Sequence, residues 1–242
     1  MTVYFVSDLH LKPERPDLTR AFSHFLNTTV QDAEELYLLG DIFEAWIGDD
    51  TPTPTLEPVF DGLKQLSDQG CKLFFQHGNR DFLVGKDFAR TVGAELLPEQ
   101  LVISLPFGDA VILHGDQLCT DDAEYMQFRT MVRDLKWQDQ FLSKPLQERL
   151  AIARQLRDAS KERTAEKSEY ITDVNQNAVN ETFTATKVNL MIHGHTHRPH
   201  IHKYQIENKE CTRIVLGDWD KLGWYLEVSQ TGYELISFEI KE

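Results

Sequence analysis

Val3-Tyr4-Phe5-Val6-Ser7-Asp8-Leu9-His10 is a short apolar run that ends in an acid and an imidazole two residues apart. Side chains alternate along an extended backbone, so Asp8 and His10 project to one side and can grip one ion together. A strand that ends this way puts chemistry at its carboxyl end, where open α/β sheets place their sites. Four further motifs follow the same plan: Gly40-Asp41 after residues 36–39, Gly78-Asn79-Arg80-Asp81 after 73–75, His114-Gly115-Asp116 after 110–113, and Gly194-His195-Thr196-His197 after 190–192. One Asp-x-His or Gly-Asp alone carries no information. A series of five in order, each behind an apolar run, predicts strand ends converging on a metal centre.

The donor types assign themselves by chemistry. Asp8, His10, Asp41 and His197 form the expected set for one ion, and Asp41, Asn79, His114 and His195 the set for a second. Asp41 ends its strand and has two carboxylate oxygens, so it is the natural bridge. Asn79 can contribute only a neutral carbonyl oxygen, and each histidine a ring nitrogen. Four-member sets leave positions open for water and substrate, as catalysis requires. The absence of cysteine among the donors speaks against a structural zinc site, while Mn, Fe, Co and Zn all remain compatible with the nitrogen and oxygen mixture.

Bulk properties narrow the class. The chain has 242 residues, 41% of them hydrophobic, enough to bury the core of one large domain with an insertion. A net charge of −14 argues against general binding to nucleic-acid phosphates. Cys71, Cys119 and Cys211 are an odd number without pairing spacing and read as reduced, buried thiols. The first residues lack a cationic leader pattern, and no apolar run approaches the roughly 20 residues that span a bilayer. The expected location is cytoplasmic or peripheral, with no obligate protein partner evident.

Strand and helix patterns alternate at first: strands over 2–7, 35–39 and 71–76, and helices over 17–26, 56–66 and 84–92. Residues 101–105 and 110–114 read as a hairpin around Phe107-Gly108-Asp109. The tail is strand-like over 199–206, 211–216, 223–228 and 233–240, with turn signals between. A parallel-leaning half followed by an antiparallel one predicts an α+β fold, a two-sheet β-sandwich flanked by helices.

Between residues 119 and 187 the strand pattern stops, leaving helical spacing with no glycine and the single proline Pro145. We therefore expect a core of residues 1–118 and 188–242 with an inserted helical arm, or lid, at 119–187. A connection of this length inside a compact domain is usually functional. From Phe128 to Lys167, ten lysines and arginines outnumber six acids, against the sign of the whole chain. An arm both apolar and basic suits an anionic amphiphile or an anionic membrane surface. A helical hairpin with a solvated charged face is the alternative.

Taken together, these motifs make the chain resemble the calcineurin-like metallophosphoesterases from Asp8 to His197, with the β tail completing that fold. Within that superfamily it is most similar to the family of UDP-2,3-diacylglucosamine hydrolases (pyrophosphatases) of lipid A biosynthesis. The closer likeness rests on Ser7-Asp8-Leu9-His10-Leu11, Gly40-Asp41-Ile42-Phe43-Glu44-Ala45-Trp46, Gly78-Asn79-Arg80-Asp81-Phe82, His114-Gly115-Asp116 and Met191-Ile192-His193-Gly194-His195-Thr196-His197-Arg198-Pro199, together with the helical insertion. The resemblance implies two Mn²⁺ per chain and a nucleotide-activated diacylglucosamine lipid as substrate. It implies water attack at the α-phosphorus, releasing UMP and 2,3-diacylglucosamine 1-phosphate, at the cytoplasmic face of the inner membrane. It also carries over Asn79, Arg80, Asp122, Ser160, Thr164, Lys167 and His195 as substrate-binding positions.

The broad superfamily commonly has histidine where this chain has Arg80, and a second aspartate where it has Glu44. Histidine can protonate a poor alkoxide leaving group; arginine cannot usefully give up a proton, but it clamps phosphate oxygens. A phosphate leaving group needs no acid, so Arg80 points to diphosphate cleavage. The alternative is an Arg80 that merely pairs with Asp81 or Glu44. Asn79, Arg80 and His195 are the expected catalytic residues. Arg157, Ser160, Thr164 and Lys167 lie on one face of one helix and suit a sugar, phosphate or uracil. Phe128, Met131, Phe141, Leu142, Ile152 and Leu156, with Trp46 and Phe82, are candidates to enclose acyl chains. Another dinuclear phosphodiesterase or nucleotide pyrophosphatase is the same-fold alternative, and an inactive binding scaffold the different-class one; the complete donor set disfavours the scaffold.

Overall fold

The computed structural model describes the backbone of residues 2–165 and 173–241, and their side chains other than those of 158–165. The chain alternates at first through β1 (Val3–Val6), α1 (Pro16–Thr28), β2 (Glu35–Leu38), α2 (Glu57–Asp68), β3 (Lys72–Phe75), α3 (Lys86–Val92) and β4 (Ala94–Leu96). The hairpin β5 (Gln100–Leu105) and β6 (Gly108–Leu113) follows. Next come the helices α4 (Ala123–Arg133), α5 (Leu135–Leu142), α6 (Leu146–Ala165) and α7 (Gln176–Thr186). The chain returns to strands with β7 (Leu190–His193), β8 (His200–Ile206), β9 (Lys209–Val215), β10 (Leu222–Ser229) and β11 (Gly232–Glu239).

The strands form two sheets, ordered β11-β10-β1-β2-β3-β4 and β5-β6-β7-β9-β8. In the first, β1 to β4 run parallel and β10 joins β1 antiparallel. In the second, β6, β7 and β9 are parallel, with antiparallel strands at both edges. This gives the expected two-sheet α+β sandwich, with one correction. The tail is no separate antiparallel half: β8 and β9 complete one sheet while β10 and β11 complete the other. Both pairs show the same alternation of apolar and polar residues, so local pattern does not say which sheet each will join. The short β4 also escapes the sequence, since three residues leave too little period to read.

β1 explains why its sequence is uninterruptedly apolar. Val3 and Phe5 face the second sheet beside Ile112, Ile192 and Ile214, while Tyr4 and Val6 face the helices beside Phe22 and Phe25. A strand covered on both faces has no solvent side to make polar. The helices α1 to α3 cover the first sheet; Val179 and Phe183 of α7 cover the second against Val111 and Met191. Packing on both outer faces leaves the carboxyl ends of β1, β2, β3, β6 and β7 at one rim. All three cysteines are buried and free. Among the described residues, no helix is long and apolar enough to cross a membrane.

Candidate metal centre

The rim turns hold their side chains on left-handed backbone: Asp8 (φ 56°), His10 (φ 50°), Asp41 (φ 54°), His195 (φ 69°) and His197 (φ 55°). Each such residue costs about 1–3 kcal/mol unless its surroundings enforce it. Here the turns after β1 and β2 lie side by side and hydrogen-bond in register. Asp8 N donates to Gly40 O at 3.0 Å, His10 N to Asp41 O at 3.0 Å, Leu11 N to Ile42 O at 2.9 Å and Glu44 N to Leu11 O at 3.1 Å. Asp81 completes the frame from the turn after β3. Its buried carboxylate accepts from Gly78 N at 2.9 Å, Asp41 N at 3.1 Å and Ile42 N at 2.8 Å. The motif glycines allow this crowding: a Cβ on Gly78 would lie 2.1 Å from Asp41 Oδ1, and one on Gly194 would lie 2.2 Å from Asp8 Oδ2.

All seven expected donors meet in this frame. His10 Nε2 and His197 Nε2 face each other at 3.2 Å, and His197 Nε2 is 3.3 Å from Asp8 Oδ1. Asn79 Oδ1 lies between His114 Nε2 at 3.1 Å and His195 Nδ1 at 2.9 Å, and His114 Nε2 is 3.7 Å from Asp41 Oδ1. Two donor groups emerge, each with its atoms within 4.8 Å of one another: Asp8, His10 and His197, and Asp8, Asp41 and His114. Asp8 therefore reaches both groups, and sharing is not confined to Asp41.

The electrostatics suit cations. Burial alone would raise the Asp8 pKa, but His197, His114 and His10 override it and hold the carboxyl below the usual range. Burial would likewise lower His197, yet Asp8 pushes it up to about 9. His195 goes the other way, down to about 4, through burial and the neighbouring His114. Asp8 Oδ1 is buried with no hydrogen-bond donor, and the ring nitrogens turn toward shared points. Nitrogen and carboxylate donors around a buried oxygen that lacks a geometric hydrogen bond fit divalent metal ions well.

Arg80 lies beside these donors. Its backbone N–H donates to Asp41 Oδ1 at 2.8 Å, and its half-buried side chain lines a cavity together with Asn79. Arg80 Nε is buried without a partner, and neither Asp81 nor Glu44 pairs with the guanidinium among the described residues. Glu44 turns instead to His10, its Oε2 3.1 Å from Nδ1, and to Arg157, whose Nη2 donates to Glu44 O at 3.0 Å. Burial opposes ionisation of Glu44, but His10, Arg80 and Arg157 bring its pKa down to about 2.

The cavity runs between the core loops and the arm. Trp46 and Phe82 line it from the core; Phe128, Phe141 and Leu156 line it from the arm. Ile152 packs against the main core cluster, while Met131 and Leu142 are 42% and 39% exposed and face away. Asp122 caps α4, accepting from Tyr125 N at 3.0 Å. Ser160 and Thr164 fall on α6 where side chains lie outside the described residues, and Lys167 lies outside them altogether. Three contributors are not evident from the motifs. Tyr125, on the apolar stripe of α4, sets its ring 5.9 Å from that of His195 and donates its hydroxyl to Asp116 Oδ2 at 2.9 Å. Arg129 pairs with the same oxygen at 2.8 Å, and Arg133 donates to Gly78 O at 3.0 Å. Helical spacing marks Tyr125 as apolar-face material, and nothing local pairs it with a loop nine positions back.

Comparison with known proteins agrees with this geometry. The family model described as calcineurin-like phosphoesterase matches residues 1–199. A UDP-2,3-diacylglucosamine hydrolase of Stenotrophomonas maltophilia is 50% identical, over 97% of this chain and 98% of that protein. Its namesakes from Tolumonas auensis and Marinobacter nauticus are 48% and 47% identical, over 98% and 95% of this chain and 97% and 94% of their own lengths. The chain belongs to the calcineurin-like phosphoesterase family, and within it to the group of UDP-2,3-diacylglucosamine hydrolases.

Proposed function

We propose that this hydrolase cleaves the diphosphate of UDP-2,3-diacylglucosamine, yielding UMP and 2,3-diacylglucosamine 1-phosphate by attack of water on the α-phosphorus. One observation carries the reading: Arg80, without a carboxylate partner, stands where the donor cluster meets an apolar cavity. Such a junction suits a molecule with a charged diphosphate and greasy tails. A soluble nucleotide would have no use for the chamber walled by Trp46, Phe82, Phe128 and Phe141.

Asp8, His10, Asp41 and His197 would hold one cation, and Asp41, Asn79, His114 and His195 a second, with Mn²⁺ our expectation for both. Bound there, the pair supplies positive charge that makes water nucleophilic near neutral pH and offsets charge on the phosphoryl oxygens. Asn79, Arg80 and His195 are the residues assigned to catalysis. Arg80 contributes a forked, permanently charged donor to the non-bridging oxygens, and its charge counts for more at a half-buried site. The departing lipid phosphate is stable as an anion, so no acid is required of the protein. Asp122, Arg157, Ser160, Thr164 and Lys167 are assigned to the substrate head, with 119–187 as the arm that closes over it between core segments 1–118 and 188–242. The basic, apolar arm also fits peripheral attachment to an anionic membrane surface.

Turnover of UDP-2,3-diacylglucosamine with Mn²⁺ in ¹⁸O-water tests this. Label should enter UMP; label only in the lipid phosphate would reverse the point of attack, and no turnover would refute the substrate. Arg80→Ala should lose most turnover, at least about 100-fold as for loss of an oxyanion donor, while retaining its metal.

A further inference from the structure

The histidines nearest Asp8 are backed by carboxylates. Glu44 Oε2 lies 3.1 Å from His10 Nδ1, and Asp218 Oδ2 lies 3.6 Å from His197 Nδ1. His114 is backed differently, with its Nδ1 2.8 Å from the neutral carbonyl of Leu39. Of the two carboxylates, Glu44 is the one that also contacts the arm. Arg157 of α6 donates from Nη2 to the Glu44 carbonyl at 3.0 Å, and its Nε stands 3.7 Å from Oε1. The two Glu44 oxygens therefore face in different directions, one toward His10 and one toward the arm. The residue is well placed for both. Its side chain is 12% exposed, and its backbone N–H is held by Leu11 O at 3.1 Å. His10 Nδ1 is itself buried and makes no geometric hydrogen bond to any described residue, the Glu44 carboxylate at 3.1 Å being an ion-pair contact.

We propose that Glu44 is a positioning residue that aims His10 into the centre, and that Arg157 makes this aim depend on the arm being seated. An imidazole whose Nδ1–H faces a carboxylate keeps its proton there and turns the Nε2 lone pair outward, as a better and better-oriented ligand. Arg157 holds both the carbonyl and the second carboxylate oxygen, which restricts Glu44 to the orientation that serves His10. When α6 lifts, that restraint is lost. Linkage makes the effect reciprocal: if a seated arm tightens the grip on the cation, the bound cation tightens the seating of the arm by the same factor. The inference rests on the metal reading above but not on the identity of the substrate.

The test uses the full chain, Mn²⁺ alone and a competing chelator, with no substrate present. Glu44→Ala should weaken Mn²⁺ binding by about 10- to 100-fold, the range for loss of a partner behind a ligand. Glu44→Gln should recover part of that loss, because its amide oxygen still accepts from His10 Nδ1. Arg157→Ala should weaken binding by a smaller factor in the parent chain and by none in the Glu44→Ala background. Mn²⁺ should protect α6 from protease in the parent chain and protect it less in either single variant. Equal affinity in Glu44→Ala and parent would overturn the positioning role. An Arg157→Ala effect of the same size in both backgrounds would overturn the coupling. Should Glu44→Ala fail to fold, the cycle is run with Glu44→Gln, and parent-like affinity and protection there would overturn the proposal equally. Failure of the substrate assignment would leave these results untouched.

Discussion

Asp81 offers no atom to the centre, yet its carboxylate gathers the N–H groups of Gly78, Asp41 and Ile42, and so fixes two donor-bearing turns against each other. Replacing one oxygen by an amide NH₂ would aim a donor at a donor. Asp81→Asn should lower the unfolding free energy by about 1–3 kcal/mol, measured by chemical denaturation, and reduce bound metal. An unchanged denaturation midpoint would mean the carboxylate is dispensable. Gly78 poses the opposite problem, since it has no room for a side chain. A Cβ there would lie 2.3 Å from the backbone N of Asp41, which the ladder between the turns prevents from moving. Gly78→Ala should displace Asp41 and Asn79 and cost about 100-fold or more in turnover, the price of a misplacement near 1 Å. Metal analysis of the purified variant checks the cause: full metal content with full turnover would contradict it.

Among the described residues, α6 is tied to the core by polar contacts at two places. Besides Arg157 on Glu44, the buried Arg149 donates from Nη1 to Ile47 O at 2.6 Å and to Asp50 Oδ1 at 2.7 Å, and from Nη2 to Asp50 Oδ2. Arg149→Ala should cost about 1–3 kcal/mol, hasten proteolysis of α6, slow turnover and, through the looser seating of that helix, weaken Mn²⁺ binding. The pH dependence follows from Asp50, whose pKa Arg149 holds below the ordinary value. A carboxylate depressed by folding contributes its stability above the unfolded value near 4 and loses it as pH falls further. The stability gap between parent and Arg149→Ala should therefore be full at pH 7 and narrower at pH 3. A gap that widens on acidification would rule out the ion pair. α4 is held to the core as well, through Arg129 on Asp116 and Arg133 on Gly78 O.

Across the whole molecule, charge and apolar surface are unevenly shared. The chain carries −14, yet residues 128–167 hold ten lysines and arginines against six acids, and within that stretch Met131, Leu135 and Leu142 are exposed, with Lys136 and Lys144 close in sequence. Leu135 alone is 74% exposed. An apolar rim flanked by cations should seat on an anionic bilayer while the acidic core is held off. Sedimentation with vesicles should show more binding to anionic than to neutral lipid. That binding should fall as salt shortens the screening length to about 3 Å at 1 M, and it should drop in Leu135→Asp. Equal binding to both vesicle types, or none to either, would refute attachment through this rim.

The strands, the run of helices after β6 and the convergence of the strand-end motifs could be read from the amino-acid sequence. Period-two patterning of the strands is a local property. Asp8, His10, His195 and His197, however, sit on left-handed backbone beyond the strand ends, and the turns after β1 and β2 are fixed by hydrogen bonds to each other rather than by alternation. Which sheet each tail hairpin joins was not legible, because β8 and β9 alternate much as β10 and β11 do. Nor was it legible that, among the described residues, no carboxylate pairs with the Arg80 guanidinium. Asp81 and Glu44 were both within local reach, but backbone N–H groups claimed one and His10 with Arg157 the other. The contacts of Tyr125 with His195 and of Arg157 with Glu44 join residues 70 and 113 positions apart. No local pattern encodes such pairs: they exist only once two sheets and an arm have packed, because burial then forces each polar group to find whatever partner the fold has brought near.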